Sequence, residues 1–530
     1  MSKVRTIVAR LAIGIALSGA GPAAAENLLR WGNADDAKTA DPHSYSDIDK
    51  ESVIQQIYDT LVALDSDMDI ADHLAVAWQP LDPTTWEFEL RQGVRFHDGT
   101  PFTAEDVVFS IRRAQADTSD VKDQLRSVVG VRAIDEHTVH FTTDGPDPLL
   151  WAHLARVWIL SKGWAERHEV TVPADFRAGE ITYASGHANG TGAFILEEFD
   201  RTGRIVMVRN PDWWGLERYP HNVDRIERIH VGSVQQGVQA LLDGEIDFLQ
   251  ELPYRSHWLE QLEGAAGVKL VRTPWLTTTY LALDQGSAEL RSSDIKGRNP
   301  FQDKRVRLAL YQAIDIQELV AEVMGGLATP AAMMIPPGIT GYFPELAKRP
   351  AYDPERAKAL LAEAGYPSGF SVTLDCPNAW SLFQEEKVCR ALAEKFKAIG
   401  VDVSVEFQAT GPYVEKTENG NSDIFVQGAS AMFDSQMILN EQFSSSGTTN
   451  LTGYNNSEVD ELIAAAGREM LTYGRDVLLE KVWRIVNDDV VYIPLYHPMV
   501  VWAMREDLDL PADPWFRPRF RHARFKEGGG

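Results

Sequence analysis

Seventy-seven acidic residues, thirteen histidines and two cysteines are ample raw material for catalysis, so their arrangement decides whether a catalytic centre is encoded. The histidines are scattered without metal-ligand spacing, and no H-E-x-x-H pair occurs. There is no G-x-S-x-G elbow, no P-loop and no G-x-G-x-x-G turn. No two carboxylates are spaced so that general-acid and general-base roles can be assigned to them. Cys376 and Cys389 do not form a Cys-x-x-Cys redox motif. The reading is therefore no enzyme, no catalytic residue, no metal and no cofactor, with a secreted carboxylate-dependent hydrolase as the rival from another class.

Residues 1–25 explain where the chain works. Lys3 and Arg5 precede an apolar run from Leu11 to Ala20, and small residues follow to Ala23-Ala24-Ala25. This is the layout of a cleavable secretory signal, with Glu26 as the first mature residue. The apolar run falls short of the roughly 20 residues that span a bilayer. No cysteine lies near the cleavage point to carry a lipid, so the expectation is a soluble periplasmic protein. The formal charge of -26 becomes more negative once the leader's Lys3, Arg5 and Arg10 are removed. That sign opposes nucleic acid and anionic membranes as partners. Export through an oxidising compartment favours a Cys376–Cys389 disulfide, the alternative being two buried thiols.

With 530 residues and 44% hydrophobic content, more than one folding unit is expected. Trp86 to Leu90 alternates apolar and acidic residues as a half-buried strand does, and Val94 and Phe96 resume the alternation, which suggests a hairpin between them. Thr103-Ala104-Glu105-Asp106 reads as a capping box opening a helix with Val107, Ile111 and Ala114 on one face. Phe194–Phe199 and Ile205–Val208 read as paired strands. Val234–Leu242 is a helix that Gly244 ends, and Phe301–Met324 is one long amphipathic stretch. Further on, helix Asp353–Ala364, strand Phe370–Leu374, helix Val388–Ala398 and strand Val401–Phe407 alternate as α/β units do. Helices Ser457–Ala466 and Val477–Val486 and a strand Val490–Tyr496 complete the pattern.

The segment AVAWQPLDPTTWEFELRQGVRFHDGTPFTAEDVVFSIRRA, Ala75 to Ala114, resembles the signature of the extracytoplasmic solute-binding proteins of oligopeptide, dipeptide, nickel and opine importers. Further matching blocks follow in order: NGTGAF from Asn189, RNPDWWG from Arg209, DKRVRLALYQAID from Asp303, YDPERAKALLAEAGYP from Tyr352, GYNNSEVDELIAAA from Gly453 and YIPLY from Tyr492. The resemblance implies the two-lobed periplasmic-binding-protein fold of class C, type II, an α/β architecture with an extra subdomain on the first lobe. It assigns residues 26–60, 189–274 and 491–530 to that lobe, 61–188 to the subdomain and 275–490 to the second lobe. The chain should cross between lobes near Thr273–Tyr280 and again near Asp489–Tyr496. A monomer of this kind closes its lobes on a solute, then delivers it to an ABC permease and ATPase complex in the inner membrane.

What the resemblance implies about the solute is less uniform. Peptide-binding relatives carry Gly-Trp and then an aspartate that pairs with the ligand's amino terminus. Here the stretch is VQGASAMFDSQ: Gly428 matches, Ala429 stands at the Trp position, and Met432 at the Asp position, with Asp434 two residues on. Leaving a buried ammonium unpaired costs roughly 3–5 kcal/mol. Either Asp434 substitutes through a shift, or the solute lacks a free amino terminus. Trp158, Trp275, Trp380 and Tyr496 fall near segments that border the cleft in relatives, where rings stack on solutes or hold cations. Gln427, Ser430 and His497 supply hydrogen-bonding groups. The expected solute is a peptide or peptide-like molecule, with an oligosaccharide, opine or metal chelate as alternatives. For the chelate, only His497 is well placed, and one imidazole is thin support.

Overall fold

Trp86, Phe88 and Leu90 turn inward from strand Thr85–Leu90 while Glu89 points to solvent, as a period of two demands. This strand is central in a four-stranded antiparallel sheet with Ala75–Asp82, Val128–Asp135 and Thr138–Thr143. The helix Ala104–Ala114 packs on it with Val107, Ile111 and Ala114 fully buried. Thr103 and Asp106 form the expected reciprocal cap, the Thr103 N–H donating to Asp106 Oδ2 at 3.0 Å. The hairpin expected between Trp86–Leu90 and Val94–Phe96 is not formed. Thr85–Leu90 pairs instead with the preceding Ala75–Asp82. Pro80 masks that partner in sequence, yet it is tolerated because the strand lies at the sheet edge and its pairing is bulged there.

The structure, a computed structural model, describes residues 26–526 except 66–68, 202, 251, 253–255, 379–383 and 431–432. Residues 1–25, read above as a leader, Trp380 and Met432 thus lie outside the described residues. Among those described, twelve strands join one mixed sheet that runs through both lobes. In the first lobe, Leu28–Asn33 lies parallel to Arg225–His230 and Phe248–Leu249, and Arg204–Arg209 and Phe194–Phe199 extend the sheet antiparallel. In the second, Thr277–Leu283 pairs with Ile424–Ser430, which neighbours Phe370–Pro377 and then Val401–Gln408. No helix among the described residues is long and apolar enough to cross a membrane.

One strand, Ile493–Arg505, belongs to both lobes. Its residues up to Pro498 pair with Thr277–Leu283 and Ala328–Pro330, and from Met499 onward they pair with Val268–Pro274 and Phe248–Leu249. The second passage is Val268–Pro274 running into Thr277–Leu283, interrupted only at Trp275 and Leu276.

The second lobe shows how local signals set the chain's course. Phe301–Met324 is not one helix: Lys304–Gln312 ends, and the Asp315 carboxylate accepts the Gln317 and Glu318 N–H groups to start anew before a π turn at Leu319–Val323. An aspartate that caps locally competes with helix continuation. Helix Glu385–Lys397 and strands Phe370–Pro377 and Val401–Gln408 form the expected α/β unit. At its end Gly369, φ +72°, passes so near the Gly400 carbonyl that a Cβ would sit 1.7 Å from that oxygen. Cys376 and Cys389 are joined in a disulfide that ties strand to helix.

Candidate functional site

A small cavity of about 80 Å³, open at its mouth, lies where the lobes meet. Helix Ile48–Ile57 presents Glu51 and Gln55 to it, the following strand Ala63 and Leu64, and the turn after helix Leu150–Leu154 contributes Ala155, Arg156 and Trp158. The C-terminal segment adds Asp513, Trp515, Arg517, Arg519 and Arg521. From the second lobe comes Phe433, whose ring centroid is 5.0 Å from that of Trp515. Phe433 also packs with Leu64, Leu149 and Ala152, so the lobes touch across the cleft.

The C-terminal segment is held against the first lobe by polar bonds. Gln56 donates to the Pro518 carbonyl at 2.7 Å and accepts the Phe520 N–H at 3.1 Å. This anchoring aligns three guanidinium groups with different engagements. Arg519 pairs with Asp513 at 2.5 Å, and Arg517 forms an ion pair with Glu51, which also accepts the Ser46 hydroxyl. Arg521 Nη1 donates to His73 Nε2 at 3.0 Å, while His73 Nδ1 faces the Thr60 carbonyl at 3.1 Å. His73 Nε2 also lies 3.2 Å from Asp59 Oδ1, and Nδ1 accepts the Thr60 N–H at 3.3 Å. Burial pushes the His73 imidazole down to about 4 and Arg521 down to about 10, the latter helped by nearby Arg519. Behind them Asp59 accepts from Thr191 Oγ1 at 2.9 Å and Trp214 Nε1 at 2.8 Å.

Arg156 differs from its neighbours. Among the described residues its guanidinium takes no hydrogen bond and no close ion pair. Desolvation lowers its pKa, Glu51 opposes that shift, and Arg517 adds to it.

The residues singled out in the sequence are distributed more widely. Trp158 lines the cavity. Trp275 is half-buried at the crossing, its ring stacked on Phe516 at 5.8 Å and its backbone N–H donating to the Pro498 carbonyl. Tyr496 is fully buried on the shared strand, paired with Thr279. His497 is buried with Nδ1 at 3.1 Å from Thr278 Oγ1, and burial pushes it down to about 4. Gln427 is half-buried with Oε1 unpartnered, and the Ser430 hydroxyl meets Thr277 Oγ1 at 2.8 Å. Asp434 is completely buried, salt-bridged by both Arg475 Nη atoms at 2.7 and 2.5 Å, and its Oδ1 caps helix Ser435–Ile438. Sequence reasoning passed over the run Trp515-Phe516-Arg517-Pro518-Arg519-Phe520-Arg521, whose alternation of cations and rings near the end of an acidic chain was the available signal.

Comparison with known proteins agrees with this architecture. A family model for bacterial extracellular solute-binding proteins, family 5, matches residues 69–450. The glutathione-binding protein GsiB of Shigella dysenteriae serotype 1 (strain Sd197) is 27% identical over 488 residues, 89% of each chain. HbpA2 from Haemophilus parasuis superposes with a TM-score of 0.80 at 22% identity, over 94% of this chain and 100% of that one. The periplasmic binding protein DppA from Helicobacter pylori, solved with the peptide STSA, gives 0.70 at 24% identity over 94% and 98%. With a family model covering well over half of its length and a two-lobed cleft to match, the chain belongs to the bacterial extracellular solute-binding proteins, family 5.

Proposed function

We propose that this protein captures a peptide-like solute in the bacterial periplasm and hands it to an ABC permease and ATPase complex, without chemical turnover. The observation that carries this reading is a cavity walled by both lobes, with Phe433 on one side and Trp515 and the arginines on the other. A solute held there bridges the lobes and favours the closed form, and moving a population from mostly open to mostly closed takes about 5.5 kcal/mol of differential affinity. A GsiB relative and a peptide-bound DppA structure support the solute class, and the apolar run before Ala25 supports export. In this reading Trp275 and Tyr496, at the crossings, serve the hinge. Gln427 and Ser430, on the strand Ile424–Ser430 that precedes Phe433, offer polar groups to the solute. Asp434, committed to Arg475, acts as a structural residue, so the solute need not carry a free amino terminus. Small-angle scattering with and without pooled di- and tripeptides tests the reading. Contraction on binding with no product is expected; identical profiles despite binding would refute it.

A further inference from the structure

The cavity holds four guanidinium groups, Arg156, Arg517, Arg519 and Arg521, against two carboxylates, Glu51 and Asp513, in a chain whose net charge is -26. Both carboxylates are already engaged, Glu51 by Arg517 and Ser46, Asp513 by Arg519 and by the Trp515 N–H at 2.8 Å. Arg521 leans on His73. Among the described residues Arg156, half-buried, makes no hydrogen bond and no close ion pair, its opposing charge Glu51 being held by Arg517, and Nε of Arg517 beside it is buried without an acceptor. A guanidinium does not escape this by losing its proton, and a partly desolvated cation whose opposing carboxylate is already engaged elsewhere gains from a further anionic partner.

We infer that Arg156, with Arg517 behind it, is the receptor for a carboxylate of the solute, so that the protein selects acids over their neutral counterparts. This rests on the cleft being the solute site. The planar fork of Arg156 suits a bidentate carboxylate. Trp158 and Trp515 on the same wall give the rest of the molecule flat apolar surface. Phe433, from the segment where peptide-binding relatives carry their aspartate, places an apolar ring there instead. Recognition is thereby centred on the negative end of the solute. The carboxylate has two chemical sources, a peptide C-terminus or an N-(carboxyethyl) amino acid.

The test compares thermal shift and calorimetry for pools of di- and tripeptides as free acids, the same pools as C-terminal amides, and N-(carboxyethyl) amino acids. Free acids should stabilise the protein and amides should not, and Arg156→Gln should weaken acid binding on the order of 100-fold, with Arg156→Lys recovering part of it. Binding confined to N-(carboxyethyl) amino acids and dependent on Arg156 keeps the carboxylate receptor while replacing the peptide-like reading. Amides binding as well as acids, or Arg156→Gln binding acids unchanged, overturns the inference and leaves the peptide-like reading standing. No shift with any pool overturns both. A readout without solute separates a structural role: ligand-free Arg156→Gln should melt no lower than the parent, whereas a clear drop would show that Arg156 supports the fold.

Discussion

Asp434→Ala distinguishes two roles for the one carboxylate near the position where peptide-binding relatives pair the ligand's amino terminus. Asp434 has no exposed surface, and Arg475 opposite it is 5% exposed. Removing one member of such a pair leaves the other charged and dry, which costs about 3–5 kcal/mol. The lost cap on Ser435–Ile438 adds about 1 kcal/mol. For a cooperative unit of 150–250 residues each kcal/mol lowers the melting temperature by about 2–4 °C. Ligand-free Asp434→Ala should thus melt on the order of 10 °C below the parent in scanning calorimetry. Replacing Arg475 as well, in Asp434→Ala/Arg475→Met, should restore part of the loss, since no buried charge is then orphaned. If Asp434 instead served the solute, the ligand-free melting point would hold within a degree while peptide affinity collapsed. That result would refute the structural reading of this residue.

The remaining expectations address closure, the disulfide and acid sensitivity. Phe433→Ala removes the apolar contact with Leu64, Leu149 and Ala152, worth about 2 kcal/mol. It should weaken solute binding roughly 30-fold and enlarge the ligand-free radius of gyration in scattering; an unchanged radius would count against lobe contact through this ring. Reducing the Cys376–Cys389 bridge, which spans 13 residues, should destabilise the second lobe by about 3 kcal/mol on the chain-entropy account; matching thermograms with and without reductant would contradict this. His73 is held neutral, with a folded pKa of about 4 against 6.5. The unfolded chain therefore takes up the proton first, and stability present above pH 6.5 is lost as the pH falls toward 4, on the order of 3 kcal/mol. In His73→Gln the fall in melting temperature between pH 7 and pH 4.5 should be visibly shallower, and parallel curves would remove His73 as a contributor.

Much of the fold was legible because its signals are local. The Thr103/Asp106 cap, the alternation of Trp86 to Leu90, the glycines behind Ala364 and Ala398, and the two cysteines all act over a few residues. The misreadings came from competition between neighbours. Val94 and Phe96 have strand-like alternation, but Ala75–Asp82 pairs with Thr85–Leu90 first, despite Pro80. Within Phe301–Met324, periodicity hid the Asp315 cap that divides the segment. The cleft was the least legible part. Arg156 and Arg517 are 361 residues apart in sequence, and nothing in either local context announces that they meet. Asp434 could be flagged by family pattern, but its partner Arg475 lies on a later helix, and only the folded arrangement shows where its charge is spent.

The strand Ile493–Arg505 passes from one lobe's sheet into the other without a flexible joint, so the two halves share a stiff spine. Bending or twisting about Pro498 and Met499 keeps most of the ladder intact on either side, whereas sliding one half past the other would tear it along its length. A book that opens along its binding always brings the same two pages together, so any solute that draws the halves closed should meet the same pair of facing walls.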